Sequence, residues 1–232
     1  SLATLSPDAV IATGDFLSHK EGVPGALGAL EPLMELPGAF VLGSNDYYSP
    51  KPINPLKYFS GPSTITPTRP MLDWEPLAHG MSDNGWLDLT NTQVDWNVNG
   101  RLISVKGVDD PHIDRDDYAG ITNSFNEQAD LTLGVVHAPY LRVLDAMAAD
   151  NAQLILAGHT HGGQVRVPGY GALVTNCDLD TARASGLSQH QGSALHVSAG
   201  LGCSRYAPFR FACPPEATLI TLKPRSSHLE WS

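Results

Sequence analysis

The chain has 232 residues, with 14 Lys or Arg against 24 Asp or Glu, a formal net charge of −10. Charged residues make up 16% and apolar residues 42%, a composition rich enough in apolar side chains to build a core, which excludes disorder. The basic residues are scattered, which excludes a cation-lined nucleic-acid groove, and no stretch approaches the roughly 18 consecutive apolar residues of a membrane span.

In chain order, Leu2 and Leu5 stand at helical spacing before Ser6-Pro7-Asp8, so the chain opens on what reads as the tail of a helix. A short apolar run over 9–12 then meets Thr13-Gly14-Asp15. Residues 24–36 carry Leu27, Leu30 and Met34 on one face, start at Pro24 and stop before Pro37-Gly38, which predicts a helix weakened or kinked at Pro32. A second apolar run, 39–42, meets Gly43-Ser44-Asn45-Asp46. Residues 49–70 hold six of the 18 prolines and read as a long loop with one helical turn near 56–59. Residues 92–107 alternate about Asn99-Gly100, a hairpin signal.

A third apolar run, 131–136, ends at His137, and 139–150 reads as a helix carrying Leu141, Leu144, Met147 and Ala148. A fourth, 154–157, ends at Gly158-His159-Thr160-His161. Beyond 162 the pattern is mostly β, with a turn at Gly169-Tyr170-Gly171, strands over 194–197 and 217–222, and a Gly-rich loop over 198–204. Unalternating apolar runs fit strands buried on both faces, and their alternation with helices predicts an α/β architecture. No repeat, low-complexity tract or linker divides the chain, which predicts a single domain over residues 1–232.

All four apolar runs stop at residues able to bind metal: Asp15, then Asn45 and Asp46, then His137, then His159 and His161. Functional groups in α/β sheets gather beyond the carboxyl ends of strands. An ordered set of carboxylate, carboxamide and imidazoles there is what a mixed oxygen and nitrogen metal site needs. In His159-Thr160-His161 two imidazoles two residues apart project to one side of extended backbone. Glycines at 158, 162 and 163 let the chain turn tightly beneath an ion. The competing readings are ordinary ones: a turn-capping Asp15, a core His137, polar turn histidines at 159 and 161, and an Asx turn at Asn45.

These residues carry a resemblance. Gly14-Asp15, Gly43-Ser44-Asn45-Asp46, His137 and Gly158-His159-Thr160-His161 are similar to the ordered motifs of the calcineurin-like metallophosphoesterase superfamily. The stretches GHTHGGQV from 158, GVDDP from 107 and RFACPPE from 210 resemble its bacterial YkuE-like branch. The resemblance implies two mixed β-sheets packed face to face between helices, a four-layer αββα sandwich. It implies Asp15 as a metal-bridging carboxylate, His137 and His159 as ligands of a second metal and His161 as a ligand of the first. It also implies two divalent cations, and the mixed donor set suits Mn, Fe or Zn.

Two departures stand out. The family's opening D-x-H is absent, and the expectation is that it and its strand precede Ser1, making the chain N-terminally truncated. Where the family has Gly-Asn-His-Asp, Ser44 takes the metal-binding Asn position and Asn45 the catalytic His position. Asn45 is thus a candidate both as the catalytic-position residue and, with the loop shifted by one, as a metal ligand. No imidazole remains there to protonate a leaving group.

The expected function is metal-dependent hydrolysis of a phosphomonoester, phosphodiester or pyrophosphate by a hydroxide activated between two metals, on a small-molecule or lipid substrate. The alternative is a catalytically silent scaffold of the same fold. Further expectations are a solvated loop for the acidic run Asp109 to Asp117, surface or structural roles for His19, His79, His112, His190, His196 and His228, and apolar packing for Cys177, Cys203 and Cys213. Arg205 and Arg210 are read equally as phosphate contacts or surface charges. Substrate-binding residues and compartment stay open.

Overall fold

A computed structural model describes residues 2–50, 69–203, 206 and 208–223. The Pro-rich loop around 56–59, Arg205 and His228 therefore lie outside the described residues. The expected opening helix tail is a 3-10 turn, Leu2–Leu5.

Two sheets form the centre. The smaller contains β1 (Val10–Ala12), β2 (Gly38–Phe40) and β3 (Leu87–Asp88), all parallel. The larger is built from β4 (Thr92–Val98), β5 (Arg101–Gly107), β6 (Leu131–Val136), β7 (Leu154–Ala157), β10 (Gly186–His190) and β11 (Ser193–Val197). It is mixed, in the order β10-β11-β7-β6-β5-β4. The short strands β8 (Arg166–Val167) and β9 (Gly171–Ala172) pair as a hairpin of their own. Asn99 and Gly100, both at positive φ, make the turn between β4 and β5, as Asn-Gly predicts.

The side-chain period of two decides which face meets which. Ala39 and Val41 from the small sheet pack with Val105, Leu133, Val135 and Leu154 from the large one, so the sheets lie face to face. Their alternate residues face outward. Phe40 and Leu42 pack with Leu27 and Leu30 of α1 (Val23–Met34) and with Leu77 and Met81 of α3 (Glu75–Asp83). Val136, Ile155 and Leu195 pack with Val143, Leu144 and Met147 of α4 (Leu141–Ala149). This is the expected αββα layering, and apolar burial on both faces of each sheet explains the unalternating strand sequences.

Pro32 is accommodated inside α1, none of whose residues is fully buried. The expected strand over 217–222 does not form; Leu219, Ile220 and Leu222 are exposed. The sheet edge beside β11 is instead filled by β10, its antiparallel hairpin partner. No helix among the described residues is long and apolar enough to cross a membrane.

Candidate metal centre

Four strand ends deliver the candidate residues to one place. Asp15 follows β1, Asn45 lies in the one-turn helix α2 (Ser44–Tyr47) just after β2, His137 follows β6, and His159 and His161 follow β7. Asp15, His137, His159 and His161 line one cleft of about 60 Å³ with Ser198, Ala199 and Gly200. Asn45 joins them through Asp15: its backbone N–H donates to Asp15 Oδ1 at 2.9 Å and its Nδ2 to Oδ2 at 2.8 Å. Asp15, His159 and His161 all have positive φ, at 62°, 68° and 50°. Non-glycine residues rarely adopt this conformation, and it recurs where function holds the backbone.

His137 is the fixed point of the cluster. It is fully buried, and its Nδ1 donates to the carbonyl of Thr13 at 2.5 Å. That contact fixes Nδ1 as a donor and turns Nε2 inward, 3.5 Å from Asp15 Oδ1, where the protonated ring forms an ion pair with the carboxylate. Nε2 makes no hydrogen bond. A methyl group on Gly43 would lie 2.4 Å from Asp15 Oδ1 and 2.5 Å from His137 Cε1. Glycine there is what lets the carboxylate and imidazole approach.

Asp46, which the strand-end pattern marked only as metal-capable, organises this loop. Its carboxylate accepts from the backbone N–H groups of Asp15, Phe16, Leu17 and Gly43 at 2.7–2.9 Å. It is fully buried. In the structure it sits in the first turn of the helix Ser44–Tyr47, where a side-chain acceptor is favoured.

Charges in the cleft are coupled. Burial would raise the Asp15 carboxyl, but the neighbouring His137 and His161 imidazoles hold it far below the carboxylate range. Burial would lower His137, but the Asp15 and Asp110 carboxylates push it up to about 10. Burial, reinforced by His112 and His137, holds His159 well below its ordinary value. His159 is therefore neutral, and since its Nε2 meets the Asn176 carbonyl at 3.1 Å, Nδ1 carries the lone pair. Burial also lowers His161.

A donor set of one carboxylate, one carboxamide and imidazoles fits a divalent cation, and the buried Nε2 of His137, in no hydrogen bond and 3.5 Å from Asp15, is the donor a cation would gain by displacing its proton. Among the described residues no three His, Cys, Asp or Glu side chains stand close enough to enclose an ion without adjustment.

Several sequence expectations need correction. Asp109 and Asp110 are buried rather than solvated. Asp109 accepts from Tyr47 Oη at 2.8 Å and from Arg115 Nε at 2.7 Å. Asp110 caps the 3-10 turn Pro111–Ile113 through the His112 N–H. Cys177 and Cys213 pack in the interior, but Cys203 is exposed. Arg210 is neither a phosphate contact nor a loose surface charge, because its guanidinium is occupied by backbone carbonyls.

His112 belongs to the cluster. Its ring lies 4.6 Å from the His159 ring, and its Nδ1 is 3.0 Å from Tyr140 Oη. Burial, with the His137 imidazole beyond it, lowers His112 from 6.5 to about 4. A histidine depressed by folding contributes stability above its unfolded value and loses it as the pH falls towards the folded one. His112's own contribution to stability is therefore expected to fall between pH 6.5 and 4, against the opposite contributions of Asp46 and Asp110, both pushed up to about 7 by burial. In urea titrations across that window a His112→Gln chain should lose less stability than the wild type on going from pH 6.5 to 4, and the same change in both chains would exclude this role for His112.

Residues 2–163 match the calcineurin-like phosphoesterase family. The chain belongs to that family. It is similar to YkuE of Bacillus subtilis (strain 168), an uncharacterized metallophosphoesterase, at 32% identity over 126 residues, 54% of this chain and 42% of that protein. It is similar to YkoQ of the same organism, also an uncharacterized metallophosphoesterase, at 28% identity over 200 residues, 84% of this chain and 65% of that protein. A third relative there, the uncharacterized protein YpbG, is 30% identical over 139 residues, 60% of this chain and 49% of its own length. The chain thus spans between 42% and 65% of the relatives it matches. Members of the family generally use divalent metal ions.

Proposed function

We propose that this chain is a metal-dependent phosphoesterase whose centre is built by Asp15, Asn45, His137, His159 and His161. The observation that supports it most is the buried His137 Nε2 held 3.5 Å from the Asp15 carboxylate, in a cleft also lined by His159 and His161. Divalent cations bound here would polarise phosphoryl oxygens and lower the pKa of water. Asp15, His137 and His159, with the Asn45 carboxamide oxygen, form the fuller donor set. Asp15 and His161 contribute to a second position, giving the dinuclear arrangement of the proposal. Mn, Fe and Zn suit these donors.

The residues divide the remaining work. Asp46 and Gly43 hold Asp15 against His137, and the Thr13 carbonyl holds the His137 ring. The small cleft, walled by Gly158 and by Ser198 to Gly200, has the scale of a phosphoryl group rather than of a whole substrate. The phosphoester, small-molecule or lipid, therefore lies mostly outside it. Asn45 hydrogen-bonds Asp15 through Nδ2 and has no titratable proton at neutral pH. Leaving groups that need protonation are accordingly disfavoured.

The same observation on Asn45 favours a second reading, a phosphoesterase-fold scaffold that binds metal or phosphoester without turnover. Metal analysis combined with rates on nitrophenyl and alkyl phosphoesters separates the two. The enzyme reading expects hydrolysis that chelation abolishes and added Mn²⁺ restores, faster with nitrophenyl than with alkyl esters. Asn45→His should then help alkyl esters more. Metal binding with no turnover of either ester selects the scaffold, and no metal binding overturns both.

A further inference from the structure

The residues that shape the cleft do not all come from the four strand ends. His161 opens a 3-10 turn, His161–Gly163, with positive φ at His161, Gly162 and Gly163. Within the turn Gln164 N–H donates to the His161 carbonyl at 2.9 Å and Gly163 N–H to that of Thr160 at 2.7 Å. The His161 carbonyl has a second lone pair, and a distant segment takes it. Arg210 Nη1 donates to the His161 carbonyl at 3.3 Å. Its Nη2 donates to the carbonyls of Ala199 at 2.7 Å and Gly200 at 3.0 Å, and its Nε to that of Gly202 at 2.9 Å. Ala199 and Gly200 are the cleft wall that accompanies His161.

Cys213 grips the same turn. Its buried thiol lies 3.3 Å from the His161 carbonyl and 3.5 Å from that of Gly162. A methyl group on Gly162 would come within 2.8 Å of Cys213 Sγ, so the two segments are in close contact. Between them, Phe211 N–H donates to the Gln164 carbonyl at 3.0 Å, and Arg166 N–H to the Phe211 carbonyl at 2.9 Å. Segment 210–213 thereby becomes a short rung beside the end of the histidine turn. It lies outside residues 2–163, the part that matches the family.

We propose that Arg210 and Cys213 are positioning residues of the metal centre, a clamp that ties the His161 turn and the facing Gly-rich wall into one frame. The proposal rests on the metal reading above. Its physical basis is the planar guanidinium, which presents several N–H donors in a fixed fork. One side chain can therefore hold carbonyls from both walls at once, and among the described residues Arg210 has no carboxylate partner to draw it away. A lysine ammonium, a compact charge on a flexible stem, holds fewer of those carbonyls in register. Cys213 adds close packing under the turn and a weak S–H donor.

The experiment uses the full chain and two readouts. Mn²⁺ affinity is measured by isothermal titration for the wild type, Arg210→Lys, Arg210→Met, Cys213→Ala and His159→Ala. Amide hydrogen exchange at residues 162–164 is followed without metal. Loss of supporting partners in metal sites costs roughly 10–100-fold in affinity. Arg210→Met is expected to weaken Mn²⁺ binding within that range and to speed exchange in the turn. Arg210→Lys should fall between it and the wild type, and Cys213→Ala should have a smaller effect. If Arg210→Met does not fold, the graded response is read from Arg210→Lys and Cys213→Ala. Wild-type binding that His159→Ala abolishes but the Arg210 and Cys213 variants leave unchanged overturns the clamp alone. A wild-type chain that binds no Mn²⁺ overturns the metal reading, and the clamp's role in it falls too.

Discussion

Asp46→Ala is expected to destabilise the fold by about 3–5 kcal/mol, because it strands buried backbone donors and removes a charge-assisted acceptor. The four N–H groups it serves belong to Asp15, Phe16, Leu17 and Gly43, on the two loops that follow β1 and β2. No other described side chain accepts from these four groups. Burial and the adjacent Asp15 push the Asp46 carboxyl up to about 7 against the pull of those donors, so the site already bears a cost that only a complete set of hydrogen bonds offsets. Asp46→Asn keeps one oxygen acceptor and should lose markedly less. Urea denaturation of the three chains measures this order. A loss under about 1 kcal/mol for the alanine variant would mean that water replaces the carboxylate, at the level of an ordinary exposed polar contact.

His137→Ala is expected to lower bound metal and phosphoester hydrolysis by more than about 100-fold, beyond the effect usual for a mere supporting partner. The substitution removes the buried Nε2 that faces Asp15 and frees the Thr13 carbonyl. A destabilised fold could mimic this loss, and His190 supplies the control. It too is buried, and its Nε2 lies 2.7 Å from Asp145 Oδ1, on β10 beside α4 rather than in the cleft. His190→Ala should lower the unfolding midpoint while leaving metal content per folded chain unchanged. Equal metal loss in the two variants would show that His137 acts through stability alone.

Much of the site was legible in the sequence because its signals are local. A short apolar run that stops just before Asp15, His137 or His159 records the strand and its end within a few residues. The Asn99-Gly100 hairpin and α4 were legible for the same reason, since turn chemistry and helical period need only neighbouring positions. The helix α3 was less so: its buried Leu77, Ala78 and Met81 occupy too few positions to set a clear period. The run over 217–222, made of Ala, Thr, Leu and Ile, suits a strand by composition, yet it forms none; pairing depends on a free sheet edge, and β10 fills the one beside β11.

By itself, then, the sequence determined the α/β class, the strand ends and the residue types gathered at them, all of which follow from the periodicity and the ends of the apolar runs, while the face-to-face layering came only with the resemblance. Tertiary structure alone decided what those residues meet. Asp46 binds loop donors about 30 residues away, Asp109 and Asp110 exchange an expected solvated loop for the interior, and Arg210 reaches back 49 residues to the His161 carbonyl. The physical reason is the same in each case. Burial and hydrogen-bond satisfaction are properties of the closed fold, set by which distant segments pack together, and a polar side chain carries no local mark of the partner that will satisfy it.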